Sequence, residues 1–172
     1  ENSDYWIAYG ATQDTTLVNA DGDTVNWNVS PGTAADFNYV DEATPATDSI
    51  VTFTGVPPPE IVKTELFNIA NDTTYSMTLD SIRILVHHRE VDFDVGDSLV
   101  IIADTTAAVG GSFRVVKAGL STTYITTVSA KITGLSKDQF ARLQVGVRGY
   151  NASGINFDVA WIAVQRFFSP AT

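Results

Sequence analysis

The chain contains no cysteine, so it has neither a disulfide framework nor a thiolate site for a metal. It also lacks any apolar run close to the ~20 residues that a bilayer-spanning helix needs. We therefore expect no membrane insertion and a stability that comes from a buried core. With 172 residues, the chain is long enough to form one domain, which buries roughly 70% of the surface of its unfolded chain.

Basic residues are absent from the first 62 positions, which carry ten acidic side chains. Residues 63–172 carry ten basic and ten acidic side chains, so the net charge of −10 lies entirely at one end. The arginines are scattered singly and form no stripe that would follow a phosphate backbone. Nucleic acid is therefore not an expected partner, and the charge asymmetry favours a protein with an oriented neighbour.

A catalytic motif is missing as well. The only histidines are the adjacent pair His87 and His88, which point to opposite faces if they lie on a strand and cannot easily bind one ion. No Gly-x-Ser-x-Gly elbow provides a nucleophile. Asp41 and Glu42 are adjacent carboxylates, but two acids on a surface loop are usually solvated, and glycoside hydrolysis needs a placed pair. We expect a protein that is not an enzyme.

Strand signals dominate what is present. Runs of β-branched and aromatic residues are separated by clusters of Gly, Pro, Ser and Asn. Helix-like stretches are limited to single turns at residues 33–37 and 136–140. Apart from the pair described next, the candidate strands are residues 24–29, 50–54, 65–69, 78–87, 98–102, 113–117 and 124–132.

The alternation of apolar and polar residues is clearest near the end of the chain. Val145 and Val147 share one face of a strand and Gln144 lies on the other. Turn-forming residues then separate this strand from a second alternating run. The pattern predicts an antiparallel hairpin formed by residues 140–150 and 155–165.

About nine or ten strands with almost no helix predict an all-β fold, an antiparallel β-sandwich of jelly-roll type. We expect residues 16–172 to form this single domain and residues 1–15 to form an N-terminal segment. Pro57-Pro58-Pro59 cannot continue a strand pairing and marks a stiff crossover. The residues before it hold too few strands for an independent core.

Two acidic loops have the composition of a calcium site, since calcium favours carboxylates joined by flexible residues. One loop contains Asp21 and Asp23, and the other contains Asp94 and Asp97. Neither has the twelve-residue pattern that ends in Glu, and Asp-Gly is also an ordinary turn signal. The sequence therefore predicts no cofactor, with calcium at these four aspartates as the alternative.

The tryptophans raise the alternative of a platform on which sugars stack, since aromatic faces offer a large apolar surface. Trp161 has the same parity as Phe157 and Val159, which predicts that it packs in the core. The alternation does not determine whether Trp6 and Trp27 pack in the core or form part of a sugar-binding platform.

The termini contain the candidate contacts for assembly. Terminal segments are poorly ordered unless something anchors them, so we expect residues 1–15 to be held as a strand in their own sheet or in that of a neighbour. Phe167 and Phe168, near the other end, either cap the core or dock on a neighbour. The N-terminal residues expected to make the contact are Tyr5, Trp6, Ile7 and Tyr9.

Several stretches resemble jelly-roll modules of tailed-phage virion proteins. The segment from Phe140 to Trp161 is in addition similar to the closing hairpin of carbohydrate-binding-module sandwiches. The resemblance implies a β-sandwich that decorates a particle surface or forms part of a fibre, and it transfers no site residue. The stretches that resemble the virion modules are Thr16-Leu17-Val18, Trp27, residues 37–45, Asp48-Ser49-Ile50, Glu65-Leu66-Phe67 and residues 79–84.

The leading hypothesis from the sequence is a structural protein on the exterior of a virion that contacts copies of itself and a major capsid or tail protein. The first alternative is an extracellular filament subunit that is joined to its neighbours by strand donation. The second alternative is a glycan-binding module. Glu1 is a poor residue to follow a removed initiator Met, so we expect either a processed precursor or a chain listing that omits residues.

Overall fold

The computed structural model describes residues 13–22, 28–30, 40–41, 44–45, 47, 50–54, 61–69, 78–91, 97–104, 113–117, 121–151 and 156–169. These ranges form eleven strands and one short helix, and all of the strand pairings between them are antiparallel. The strands are β1 (Gln13–Asp21), β2 (Asn28–Ser30), β3 (Ile50–Thr54), β4 (Ile61–Ile69), β5 (Thr78–Glu90), β6 (Ser98–Asp104), β7 (Phe113–Lys117), β8 (Ile125–Val128), β9 (Ile132–Thr133), β10 (Gln144–Asn151) and β11 (Asn156–Ser169), and the helix is α1 (Lys137–Ala141).

The strands form two sheets. In the first sheet, β11 pairs with β5 along one edge, and with β3 and then β1 along the other. β2 lies beyond β3, and the short strands β8 and β9 lie beyond β5. The second sheet has the order β4, β10, β6, β7. The chain changes sheet from β3 to β4, β4 to β5, β5 to β6, β7 to β8, β9 to β10 and β10 to β11, as in a jelly roll.

Strand β1 belongs to both sheets. Its residues from Gln13 to Leu17 pair with β11, and those from Val18 to Asp21 pair with β4 after a register shift. One strand therefore closes the side of the sandwich. The predicted limit between residues 15 and 16 falls inside this strand.

Both sheets contribute inward side chains to one hydrophobic core. The second sheet supplies Phe67, Val145 and Leu99, and the first supplies Ile84 and Phe157, all of which are fully buried. Gly146 is required in the second sheet, because a Cβ there would lie 1.9 Å from the carbonyl oxygen of Glu65 on β4. The predicted all-β antiparallel sandwich is confirmed.

The predicted turn of helix near residue 136 is confirmed as α1. Ser136 forms a capping box in which its Oγ accepts from the Gln139 amide at 3.1 Å and the Gln139 Oε1 accepts from the Ser136 amide at 2.9 Å. The helix buries Phe140 in the core. No helix in the described ranges is long and apolar enough to span a membrane.

The predicted hairpin is wrong. β10 pairs with β4 and β6 in the second sheet, while β11 pairs with β1, β3 and β5 in the first. The apolar faces were assigned correctly, since Val145 and Phe157 both lie in the core. These faces meet across the sandwich instead of lying side by side in one sheet. Two strands show the same alternation of apolar and polar residues whether they pair in a hairpin or face each other from two sheets.

Candidate functional site

The outer faces of the two sheets differ in their access to solvent. On the second sheet, outward residues such as Leu66, Ile102 and Asp104 are at most 2% exposed. On the first sheet, Val128 is 46% exposed and the side chain of Arg89 is 37% exposed. The second sheet is exposed at Val62, which is 56% exposed on β4, but the first sheet combines its exposed positions with aromatic and cationic side chains, which makes it the candidate site.

An aromatic stack lies at one end of this face and is here named the Tyr124 cluster, formed by Tyr124, His87 and Arg89. The rings of His87 and Tyr124 are nearly parallel, with centroids 5.3 Å apart. The guanidinium carbon of Arg89 lies 4.8 Å from the centroid of the Tyr124 ring, within the range of a cation–π contact. Nδ1 of His87 shares a hydrogen bond of 2.9 Å with Oγ1 of Thr126. Neighbours on two strands thus fix the orientation of each ring.

Arg89 is held in place by an almost buried carboxylate. Nε and Nη2 of Arg89 lie 2.8 Å and 2.7 Å from Oδ2 of Asp158, and Oγ1 of Thr52 donates to Oδ1 at 3.0 Å. Burial raises the pKa of the Tyr124 phenol, and the Asp158 carboxylate raises it further. The phenol is therefore a neutral hydrogen-bond donor near pH 7.

Trp161 is buried, as predicted, but it lies on the outer side of the first sheet and not in the central core cluster. It is 6% exposed and its position pairs with His87. A β-bulge between Val159 and Trp161 inserts Ala160 as an extra residue, and such a residue reverses the parity of the strand beyond it. Ile162 therefore takes the core position that alternation assigned to Trp161.

A second aromatic group lies at the other end of the face and is here named the Phe167 cluster, formed by Phe167, Arg83 and Lys131. Nζ of Lys131 is 3.9 Å from the centroid of the Phe167 ring, and the guanidinium carbon of Arg83 is 5.6 Å from it. Gln165 occupies the position directly opposite Arg83, and its Nε2 donates to Oε1 of Gln13 at 3.5 Å. The cluster combines a half-exposed ring with cationic and amide groups.

An apolar row connects the two clusters across four strands. Leu17 on β1 pairs with Ala163 on β11, which pairs with Leu85 on β5, which in turn pairs with Val128 on β8. Val128 is one of the two most exposed large hydrophobic residues of the described chain. Ala163 within the row is fully buried, so solvent reaches the row at Leu17, Leu85 and Val128.

The residues predicted for assembly occupy different environments. Phe168 is 4% exposed, and the Arg166 guanidinium carbon lies 5.7 Å from its ring, so it packs in the interior as the core-capping alternative predicted. Phe167 lies on the outer face, and its docking on a neighbour stays a prediction. The N-terminal set Tyr5, Trp6, Ile7 and Tyr9, and likewise Trp27, lie outside the described residues.

The predicted calcium loops are described only in part. Asp21 ends β1, where its carbonyl oxygen accepts from the Asn68 side chain at 2.7 Å, and Asp97 is 4% exposed before β6. Asp23 and Asp94 lie outside the described residues. The described ranges contain no cluster of three His, Cys, Asp or Glu residues suited to a metal ion.

The expectation that the two histidines point to opposite faces is confirmed. His87 joins the Tyr124 cluster, whereas His88 is fully buried and pairs with the core residue Val159. Sequence reasoning missed Arg83, Arg89 and Lys131 as members of a site. The alternation of Arg83 and Arg89 on β5 was visible in the sequence, but their aromatic partners Tyr124 and Phe167 lie far away along the chain.

Comparisons with known proteins find similarity among solved structures. No protein-family model matches the chain, and no curated protein matches it. Among solved structures, a xylan-binding module CBM15 is 18% identical, with a TM-score of 0.49, and the match covers 91% of this chain and 99% of that one. The ligand of this chain has to be inferred from its own surface.

Proposed function

We propose that the protein is a non-catalytic module that binds a glycan chain along the outer face of the first sheet. The observation that carries the proposal is the pair of half-exposed aromatic clusters on one accessible face, each held by cations and bordered by hydrogen-bonding side chains. This favours the glycan-binding alternative from the sequence over the virion role, which stays a prediction.

The chemistry of the face matches that of a sugar. Pyranose rings present C–H groups that pack on aromatic surfaces, and their edges carry hydroxyls that both donate and accept hydrogen bonds. The face offers Tyr124 and Phe167 for packing. Gln13 and Gln165 provide amides that serve as donors and acceptors. Ligand sites commonly combine apolar surface with a few placed polar groups in this way.

The Tyr124 cluster is organised before any ligand arrives. Asp158 and Thr52 fix Arg89, and Arg89 and His87 lie against the Tyr124 ring. Groups that are already ordered lose less conformational entropy on binding. A sugar that contacts this cluster therefore meets surfaces whose orientation is set by the fold.

The spacing of the clusters favours a chain over a single sugar. Phe167 lies six positions after Trp161 on β11, which corresponds to roughly 20 Å at the rise of an extended strand. The apolar row fills the interval. An extended oligosaccharide of several units would contact both clusters together, and two linked contacts bind more tightly than either alone.

The proposal is tested by calorimetric titration with hexasaccharides from cellulose, xylan, mannan, chitin and laminarin. We expect at least one to bind, and we expect Tyr124→Ala to weaken that binding by about tenfold or more, as for a central aromatic contact. Tyr150→Ala is the matched control, because Tyr150 lies on β10 in the second sheet. Absence of binding by all five ligands and by a hexasaccharide of polygalacturonic acid would refute the proposal, as would equal losses in the two variants.

A further inference from the structure

The two cations of the Phe167 cluster have no acidic partner among the described residues. The ion pairs in those ranges join Arg89 to Asp158 and Arg166 to Asp14. Arg83 and Lys131 instead share the Phe167 ring, at 5.6 Å and 3.9 Å from its centroid. The Nε of Arg83 is buried and donates no hydrogen bond within the described structure.

This arrangement is unexpected in a chain with 20 acidic and ten basic residues. Carboxylates are abundant, yet among the described residues these two neighbouring cations are matched only by an aromatic ring. A buried donor without an acceptor costs free energy, and such groups in native structures call for an explanation. An anionic ligand that packs on the ring would approach the remaining N–H groups of Arg83 and the ammonium of Lys131.

We propose that Arg83 and Lys131 bind an oxyanion carried by the sugar chain, a carboxylate or a sulfate ester, so that the module selects acidic glycans. This inference rests on the proposed function. Arg83 provides a planar fork of N–H donors that suits an oxyanion, and Lys131 adds a point charge from the connection between β8 and β9. The apolar side of the same sugar would pack on Phe167.

The overall negative charge of the protein does not prevent an oxyanion from binding at Arg83 and Lys131. The excess of acids lies in residues 1–62, whereas residues 63–172 are formally neutral and contain both cations. Exposed charges separated by more than about 8 Å are largely screened at physiological salt. The local pair of cations therefore dominates the interaction with a bound oxyanion.

The test compares methyl glucuronoside, glucose 6-sulfate and methyl glucoside in NMR titrations that follow the Arg83 Nε–H resonance. Either acidic sugar should shift this resonance at concentrations where methyl glucoside does not, and the two acidic ligands distinguish a carboxylate from a sulfate site. Lys131→Gln should weaken acidic binding by about fivefold, as for a partly exposed ion pair. Lys63→Gln is the matched control, because Lys63 also lies over a ring, that of Phe53, at 5.7 Å.

The outcomes separate this inference from the proposed function. Equal responses to the acidic and neutral sugars, or equal losses in the Lys131 and Lys63 variants, would overturn the oxyanion site. If a neutral hexasaccharide still binds through Tyr124 in that case, the proposed function stands without it. Conversely, an Arg83 shift with methyl glucuronoside in the absence of any hexasaccharide binding would refute the glycan-chain proposal and leave an oxyanion site.

Discussion

His88 is a titratable group that the fold places where it cannot readily accept a proton. It is fully buried beside core positions of β5, and its Nε2 shares a hydrogen bond of 2.8 Å with Oγ1 of Thr127. Its Nδ1 is buried and has no hydrogen-bond partner among the described residues. Burial lowers the pKa of His88 from 6.5 to about 4, and the neighbouring His87 contributes to the same direction. The folded protein therefore holds this imidazole neutral near pH 7.

The lowered pKa predicts how stability changes with pH. Below pH 6.5 the unfolded chain protonates His88 while the folded chain does not, so the unfolded state gains protons and the free energy of unfolding falls. From the two pKa values, the loss due to His88 is about 2 kcal/mol at pH 5 and about 3 kcal/mol at pH 4. Below the folded pKa the loss levels off, because both states then bind the proton.

Urea unfolding between pH 7 and pH 4 measures this contribution in the wild type and in His88→Gln. The amide of Gln retains a hydrogen-bonding partner for Thr127 and does not titrate. Between pH 7 and pH 5, the free energy of unfolding of the variant should therefore fall by about 2 kcal/mol less than that of the wild type. His87→Gln is the control at the half-exposed neighbour. Equal pH dependence in the wild type and His88→Gln would show that His88 is not held neutral by the fold.

Two further predictions concern the core and the calcium loops. Val147→Asp should destabilise the protein by about 3–5 kcal/mol in urea unfolding, because it buries an unpaired charge opposite the buried Glu65. Thr15→Asp, on the exposed side of β1, should lower the free energy of unfolding by less than about 0.5 kcal/mol. Similar losses in the two variants would mean that the register of β10 is wrong. If the predicted aspartate loops bind calcium, chelation should lower the melting temperature, because an ion that binds only the folded state stabilises it; a melting curve that chelator leaves unchanged would leave only the turn interpretation.

Strand positions were predictable from sequence wherever composition determines them locally. The bounds of β3 and β7 match the prediction, and α1 lies where its capping sequence places it. The single predicted strand at residues 124–132 divides into β8 and β9, because Ser129 interrupts it. The Ser129 hydroxyl accepts from the Ile84 amide at 2.9 Å and donates to the Ala130 carbonyl at 2.8 Å. The Ser129 hydroxyl accepts this hydrogen bond in place of a backbone carbonyl, and such a replacement does not alter the alternation of apolar and polar residues in the sequence.

Pairing between strands was not predictable, and the site depends on it. Val145 and Phe157 face the core in a hairpin and in a sandwich alike, so alternation cannot distinguish a neighbour in the sheet from a partner across it. The bulge at Ala160 could not be predicted from alternation either, because one inserted residue moves Trp161 from the core side of β11 to its outer side. Gln144 lies on the outer face as predicted, but it is only 7% exposed and donates to Asn68 at 3.2 Å. Outward orientation thus did not imply exposure.

The start of β1 shows how an interior contact can position the exterior site. Asp14 accepts from Nε of Arg166 at 2.7 Å, and the Arg166 guanidinium lies 5.9 Å from the Phe140 ring that α1 buries. This pair fixes the register between β1 and β11 at the end of the sandwich. Because adjacent residues on a strand point to opposite faces, the same register places Gln13 on the outer face beside Gln165. The residues at the end of the predicted N-terminal segment are therefore strand residues of the sheet that carries the proposed glycan site.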